Sequence, residues 1–452
     1  MSNEIEVRSR EGFETIAKYL PADFEELARQ HKVLETQYGE AKIKTADDLL
    51  RLILLHAGAD LGLRQTVTLM AEAKGPAVSH VTLHKKMRLS AGYLRALVDR
   101  LTRGQETAPE SWAGYDVVVV DGSSFSGPGA EGTDARLHLQ LRLSGLEILK
   151  ARIEDETVGE SFKRFDWQPG QLAVGDRGYC NPPGVGHVVG QGADVLLRVN
   201  RGSFPMRDPG GDKIALMDWL RGLRGYSAQE RLVVVDDHEH NRLIKGRLLA
   251  CRLPAAEAEK ARARVRRELG PSVSPLDLEA AQYIVLFTTV PASRMPMRTC
   301  LDLYRLRWQV ELTFKRWKSL CHFDRLPNYR DDTILSWLYA KMLLAVVMDR
   351  MASNAQPGTR HGLPATQWYA SSELLVGNAL EGRQYHVARD RFGAVAAWAR
   401  RYDRATHEPD GSLQLVRQDW QLPRRRGPFT STPSRQLSTA PRRLHCDGRM
   451  RC

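Results

Sequence analysis

Cysteine is scarce in this chain. Six cysteines are spread over 452 residues, at Cys180, Cys251, Cys300, Cys321, Cys446 and Cys452. None stands in a Cys-x-x-Cys pair, so neither a structural zinc site nor a disulfide framework is expected. Long apolar runs are missing as well. The most apolar stretch, Ile334 to Met351, is interrupted by Lys341 and Asp349 and is too short and too charged for a membrane span. The first residues, MSNEIEVRSREGF, carry no apolar export segment. No internal repeat is present. These absences lead to the expectation of a globular cytoplasmic protein with no membrane attachment.

An acidic excess is also missing. Lys and Arg number 66 against 54 Asp and Glu, a net charge of +12. Clustered cations gain free energy by releasing counterions from nucleic acid, so the balance favours a polyanionic partner. The length suggests two to four domains.

Residues 1–105 read as helices, with apolar residues at helical spacing in DDLLRLILLHAGADLGL and AGYLRALVDRLTR. Between these lie a short helix, a Lys-Gly-Pro turn and a second short helix capped by Ser79, carrying Lys85, Lys86 and Arg88. That outline suits a helix-turn-helix whose second helix enters a major groove. It suits equally an ordinary packed pair with a solvated basic face. The pattern then turns to strands: YDVVVVD, ARLHLQLRL, GLEILKARI, QLAVGD and ADVLLRVN, with a short helix expected around GESFKRF. A further strand-rich stretch occupies 201–290 and contains one helix, EAEKARARVRREL. From LDLYRLRWQVELTFKRWKSL the chain is mostly helical. The last thirty or so residues, rich in Arg, Pro, Ser and Thr, hold too little apolar material to fold alone.

Chemistry is suggested by three acids. Asp121 and Asp176 are expected at the ends of two apolar strands, at the sheet rim where α/β folds collect ligands. On the later helix, Tyr304, Arg307, Glu311 and Lys318 fall within about 60° of one another at 3.6 residues per turn. Lys315 lies close by, while Leu303, Leu306, Val310, Phe314 and Trp317 form an adjacent apolar stripe. Alone, that polar face reads as a surface salt-bridge ladder, because Arg307 and Glu311 stand four residues apart. Two strand-end acids change its meaning. Crowded carboxylates repel, and Mg²⁺ relieves the repulsion with hard oxygen ligands. Two acids from a sheet and one from a helix would hold a metal pair about 4 Å apart for phosphoryl transfer.

These residues carry a resemblance. YRLRWQVELTFKRWK matches Tyr-x2-Arg-x3-Glu-x6-Lys at all four positions, and VVVVDGSS and GDRGY have the matching aspartate contexts. Over roughly residues 110–350 the chain resembles the insertion-sequence-4 family of DDE transposases. The resemblance implies an α/β fold: a ribonuclease-H-like mixed sheet core interrupted by a β-rich insertion domain, with a helical N-terminal domain and a mostly helical C-terminal region. The boundaries it implies are 1–105 for a helical DNA-binding domain, 110–200 and 296–352 for the two core parts, and 201–295 for the insertion. A C-terminal region at 353–422 and a basic disordered tail at 423–452 follow.

The implied function is metal-dependent cleavage at terminal inverted repeats and transfer of the freed 3′-hydroxyl into target DNA. Asp121, Asp176 and Glu311 would be catalytic metal ligands for a pair of Mg²⁺ ions, with Mn²⁺ as substitute. Tyr304, Arg307, Lys315 and Lys318 would hold transposon-end DNA, and Lys85, Lys86 and Arg88 would contact double-stranded DNA. A homodimer pairing two ends is implied, in the bacterial cytoplasm and on the nucleoid when DNA-bound. Two other readings are a regulator without catalysis and a nuclease without strand transfer; the full acid triad argues against the first.

Three further features read as ordinary. Gly127, Gly129 and Gly132 spell G-x-G-x-x-G, but a strand follows where a dinucleotide site needs a helix. His238-Glu239-His240 reads as a polar hairpin tip with no third metal ligand. Tyr283 stands near where some relatives stack a flipped base, and otherwise reads as a strand aromatic.

Overall fold

The computed structural model describes residues 13–14, 16–36, 40–102, 112–126, 135–155, 157–323, 326–327 and 331–355. The Gly127–Gly132 motif, the join between helical and strand regions near residue 105, and nearly all of the expected C-terminal region and tail lie outside them.

Among the described residues, helices α1 (Phe24–Gln30), α2 (Ala46–Gly58), α3 (Leu63–Glu72), α4 (His80–Leu89) and α5 (Ala91–Thr102) precede the strands. Their starts follow from local chemistry. Thr45 accepts from the Asp48 amide ahead of α2, and Asp47 and Asp48 face the positive end of that helix. Ser79 caps α4 by accepting from the Thr82 amide, as the sequence predicts.

Strands β1 (Asp116–Phe125), β2 (Ala135–Arg142) and β3 (Glu147–Asp155) form an antiparallel meander. A short 3₁₀ helix, Phe162–Arg164, stands where the short helix is expected. Strand β4 (Gln171–Gly175), helix α6 (Pro182–Gly190) and strand β5 (Asp194–Arg198) complete the predicted order, with β1, β4 and β5 parallel. The strands after residue 200 extend the same sheet. They are β6 (Met206–Arg207), β7 (Gln229–Asp237), β8 (Arg242–Arg252) and β9 (Tyr283–Thr288). The helices among them are α7 (Leu216–Arg221), α8 (Ala255–Leu269) and α9 (Pro275–Ala280). The full strand order is β3-β2-β1-β4-β5-β9-β8-β7-β6, one mixed sheet. Helices α10 (Met297–Leu306), α11 (Trp308–Leu320) and α12 (Asp331–Ala355) follow.

Side-chain alternation divides the sheet into two faces. Val117, Val119, Leu139, Leu172 and Val174 share one core with Leu49, Tyr93, Leu97, Trp317 and Leu343 from the helices. Val118, Val120, Ala173, Val195 and Leu197 share the other with Phe162, Trp167, Val185 and Phe287. Valines 117–120 are all at most 1% exposed. Burying each contributes roughly 1.5–3 kcal/mol, so the sheet centre is a firm platform for whatever it carries. Among the described residues no helix is long and apolar enough to cross a membrane. The apolar stretch from Ile334 lies in α12, where Lys341 is 1% exposed and donates to Asp60 (2.5 Å) and to the Cys321 carbonyl (2.7 Å).

Candidate active site

Asp121 does not end its strand as expected. β1 runs on to Phe125, and Asp121 is paired with Leu139 of β2. What ends near Asp121 is the pairing on the other side, because β4 follows β1 only from Asp116↔Gln171 to Val119↔Val174. Carried two residues further, that parallel register sets Asp121 level with Asp176, the residue just after β4. Asp121 also continues the side-chain series of Val117 and Val119, so it lies on the face that packs against the helices.

Each aspartate is held by a nearby amide. Asp121 Oδ1 accepts from the Gly122 N–H at 2.9 Å, and Asp176 Oδ1 from the Gly178 N–H at 2.8 Å. Asp121 is only 8% exposed. Burial drives its pKa up to about 7, with Asp176 and Glu160 adding repulsion and Arg307 opposing.

The predicted signature helix is two helices meeting at Arg307. The Arg307 amide donates to the Tyr304 carbonyl, and the Val310 amide to that of Arg307, each at 3.2 Å. These three-residue steps tighten the chain locally, while Arg307 keeps right-handed angles (φ −51°, ψ −31°) and the direction carries on. Leu303, Val310, Phe314 and Trp317 are buried as expected, and Leu306 is half-buried. The guanidinium of Arg307 spans the site. Its Nη1 lies 3.3 Å from Asp121 Oδ2 and its Nη2 lies 2.5 Å from Glu311 Oε1. Tyr304 is half-buried, with Arg307 5.9 Å over its ring. Lys318 Nζ donates to the Ser124 carbonyl at 3.4 Å, beside the Phe125 ring. Lys315 is exposed.

A fourth carboxylate stands here that sequence reasoning missed. Glu160 follows β3, and its carboxylate lies against two glycines. A Cβ on Gly122 would come within 2.6 Å of its Oε1, and one on Gly178 within 1.8 Å of its Oε2. Burial raises the Glu160 pKa, and the Asp176 charge raises it further. The usable signal was the pair of glycines, one after Asp121 and one two residues after Asp176, which mark a close approach. Arg198 was missed too. At the end of β5, it is close enough to feel Arg177, Tyr304 and Arg307, and burial lowers its pKa to about 10.

The N-terminal candidates divide. Lys85 and Arg88 are exposed on α4. Lys86 is 4% exposed and donates to the carbonyls of Val33 (2.7 Å) and Glu35 (2.8 Å), so it is a structural lysine and does not face DNA. The His238–His240 segment is a hairpin tip, with His240 Nδ1 2.6 Å from Asp237 and His238 Nδ1 3.3 Å from Asp236. Tyr283 is 5% exposed within the core.

Divalent metal chemistry can be tested against these side chains. Among the described residues no three His, Cys, Asp or Glu form a ready metal cage, and the Arg307 guanidinium stands between Asp121 and Glu311. Mg²⁺ does not need such a cage, since it commonly takes one or two carboxylates and fills its shell with water and phosphate oxygens. The donors present are hard oxygens. The Tyr179 hydroxyl, buried and without a hydrogen-bond partner among the described residues, lies in the field of Glu160, Asp121 and Asp176. Hard carboxylate oxygens beside a buried hydroxyl fit a site that takes a cation.

Comparison with known proteins agrees in kind. The family described as "Transposase DDE domain" matches residues 112–348, more than half of the chain. The chain is 29% identical over 316 residues to InsL, for insertion sequence element IS186A of Escherichia coli (strain K12), covering 68% of this chain and 85% of that protein. It is 28% identical over the same length to the transposase for insertion sequence element IS421 of Escherichia coli, with the same coverage. A shorter match, 34% over 108 residues, is to the transposase for insertion sequence element IS231F of Bacillus thuringiensis subsp. israelensis, covering 23% of this chain and 21% of that protein.

Proposed function

The chain belongs to the Transposase DDE domain family, and from that premise we propose that it is the transposase of a bacterial insertion sequence, of the insertion-sequence-4 group. It cleaves DNA at the element's terminal inverted repeats and transfers the freed 3′-hydroxyl into target DNA. The observation that carries this reading is the Arg307 bridge, which ties Asp121 on the sheet to Glu311 on the helix, with Asp176, just after β4, level with Asp121.

On this reading Asp121, Asp176 and Glu311 would hold Mg²⁺, or Mn²⁺ in its stead, as a pair of ions. When bound, the metal supplies a polarised oxygen nucleophile and stabilises the leaving oxygen. The chain's own residues do the rest. Arg307, Lys318 and Lys315 grip backbone phosphates, and Tyr304 packs beside them. Lys85 and Arg88 add contacts to the duplex from α4. The buried valines of β1 keep the acids fixed, so that bound DNA meets a preorganised charge distribution. The protein works in the cytoplasm as a homodimer, because two ends must be joined at once. Residues 1–105 serve DNA binding, and 201–295 is an insertion between the two core parts.

The test is cleavage of DNA carrying the element's own inverted repeats, with Mg²⁺ or Mn²⁺. Wild type should cut, and Glu311→Gln should bind ends yet cut at least 100-fold more slowly. Pre-cleaved ends should be joined to target DNA, which a plain nuclease would not do. Bound ends left uncut with either metal would overturn the assignment.

A further inference from the structure

We propose that Glu160 is a fourth carboxylate ligand of this site, supplying an oxygen to the divalent cation beside Asp121 and Asp176. The inference rests on the metal-dependent reading above.

Its first support is the fit between Glu160 and two glycines. Gly122 directly follows Asp121, and Gly178 lies two residues beyond Asp176. A side chain at either place would intrude on the Glu160 carboxylate, at 2.6 Å from Oε1 and 1.8 Å from Oε2. The Gly178 Cβ would also come within 3.2 Å of Asp176 Oδ1. Gly122 within β1 and Gly178 after β4 therefore open one space, and Glu160 fills it.

The second support is that the loop bearing Glu160 is tied down. Arg136 donates to the Val158 carbonyl at 3.5 Å, and Arg164 to that of Gly159 at 2.7 Å. Arg164 also pairs with Glu154 at 2.7 Å. The two residues before Glu160 are thus anchored to β2, β3 and the 3₁₀ turn.

The third support is what the carboxylate lacks. Among the described residues, Glu160 has no hydrogen-bond or ion-pair partner, although it is half-buried and close to the Asp176 charge; Arg136 and Arg307 act on it only from beyond pairing distance. An unpaired, crowded carboxylate is costly. A glutamine of the same shape would fill the space without that cost. The Tyr179 hydroxyl, fully buried in the same field, is also without a partner. A bound cation gives the Glu160 charge its counterpart.

The experiment is Mn²⁺ titration of the full-length protein after chelation, with free Mn²⁺ read by electron paramagnetic resonance. Glu160→Gln should weaken Mn²⁺ binding by about 10-fold or more, within the range typical of residues that support a metal site. Asp121→Asn should weaken it at least as much. Thermal melting in chelator should show both variants folded. Gly178→Ala, whose Cβ would take the place of Oε2, gives the same readout should Glu160→Gln fail to fold. Mn²⁺ affinity unchanged in Glu160→Gln but weakened in Asp121→Asn overturns the Glu160 assignment alone. Affinity unchanged in both overturns the metal-dependent reading itself.

Discussion

Arg307 reaches from the junction of α10 and α11 to Asp121 on β1, with Nη1 3.3 Å from Oδ2. The same guanidinium holds Glu311, so one cation balances two carboxylates that come from elements far apart in sequence. Removing it leaves Asp121 buried and uncompensated. Arg307→Ala should lower stability in chelator by about 1–3 kcal/mol, below the full cost for a buried pair because Glu311 is 44% exposed. Mn²⁺ should restore much of the loss. Thermal melts with and without Mn²⁺ check this, and an Arg307→Ala variant that melts like wild type in chelator counts against the bridge.

Asp121 makes the metal-free protein sensitive to pH. Its folded pKa is raised to about 7, chiefly by burial. A raised folded pKa means stability that is fully present below the ordinary carboxylate value and is lost as pH rises through about 7. Melting temperature in chelator should therefore fall between pH 5 and pH 8. Asp121→Asn should flatten that slope and melt higher than wild type at pH 8. Parallel slopes for the two proteins would exclude Asp121 as the source.

A second buried charge node braces the end of α11. Asp60, just after α2, sits 2.5 Å from both Lys341 Nζ and His322 Nδ1. Burial pushes the Asp60 pKa up, but the His322 hydrogen bond and the Lys341 charge outweigh it and hold it below its ordinary value. A depressed pKa means stability present above the ordinary carboxylate value and lost as pH falls through the folded one. Lys341→Met should destabilise by about 1–3 kcal/mol, less than the full cost of an unpaired buried charge because Asp60 keeps His322 and is partly exposed. Lys341→Met with Asp60→Asn should recover part of that loss in urea unfolding.

Neighbouring lysines on α4 should behave in opposite ways. Lys86→Ala strands the Val33 and Glu35 carbonyls and should cost about 2 kcal/mol in urea unfolding. Lys85→Ala should leave stability within about 0.5 kcal/mol of wild type. If α4 meets DNA phosphates, Lys85→Ala should also reduce the salt slope of DNA binding by about 1. Equal stability of the two variants would show that the Lys86 contacts carry no weight.

Local chemistry was legible where it depends on neighbours in the chain. The valine run before Asp121, the apolar stripe of Leu303, Val310, Phe314 and Trp317, and the Ser79 cap are each written in spacing and residue type. The spacing of Tyr304, Arg307 and Lys318 about Glu311 is legible in the same way. Alternation in strands and the 3.6-residue turn convert such spacing into faces without reference to the rest of the molecule.

Tertiary structure decided what depends on distant partners. Asp121 looks like a strand end in sequence, yet its strand continues, because pairing with β2 outlasts pairing with β4. Lys86 reads as a surface cation, yet its amine is satisfied by carbonyls more than fifty residues away. Glu160 carries no motif of its own, and only the fold brings it over Gly122 and Gly178. Spacing along the chain thus determined which acids and cations this protein has to offer. Which of them are buried, paired or left crowded was decided by the packing of β1, β4 and the Arg307 junction, since burial and charge pairing are properties of neighbours in space.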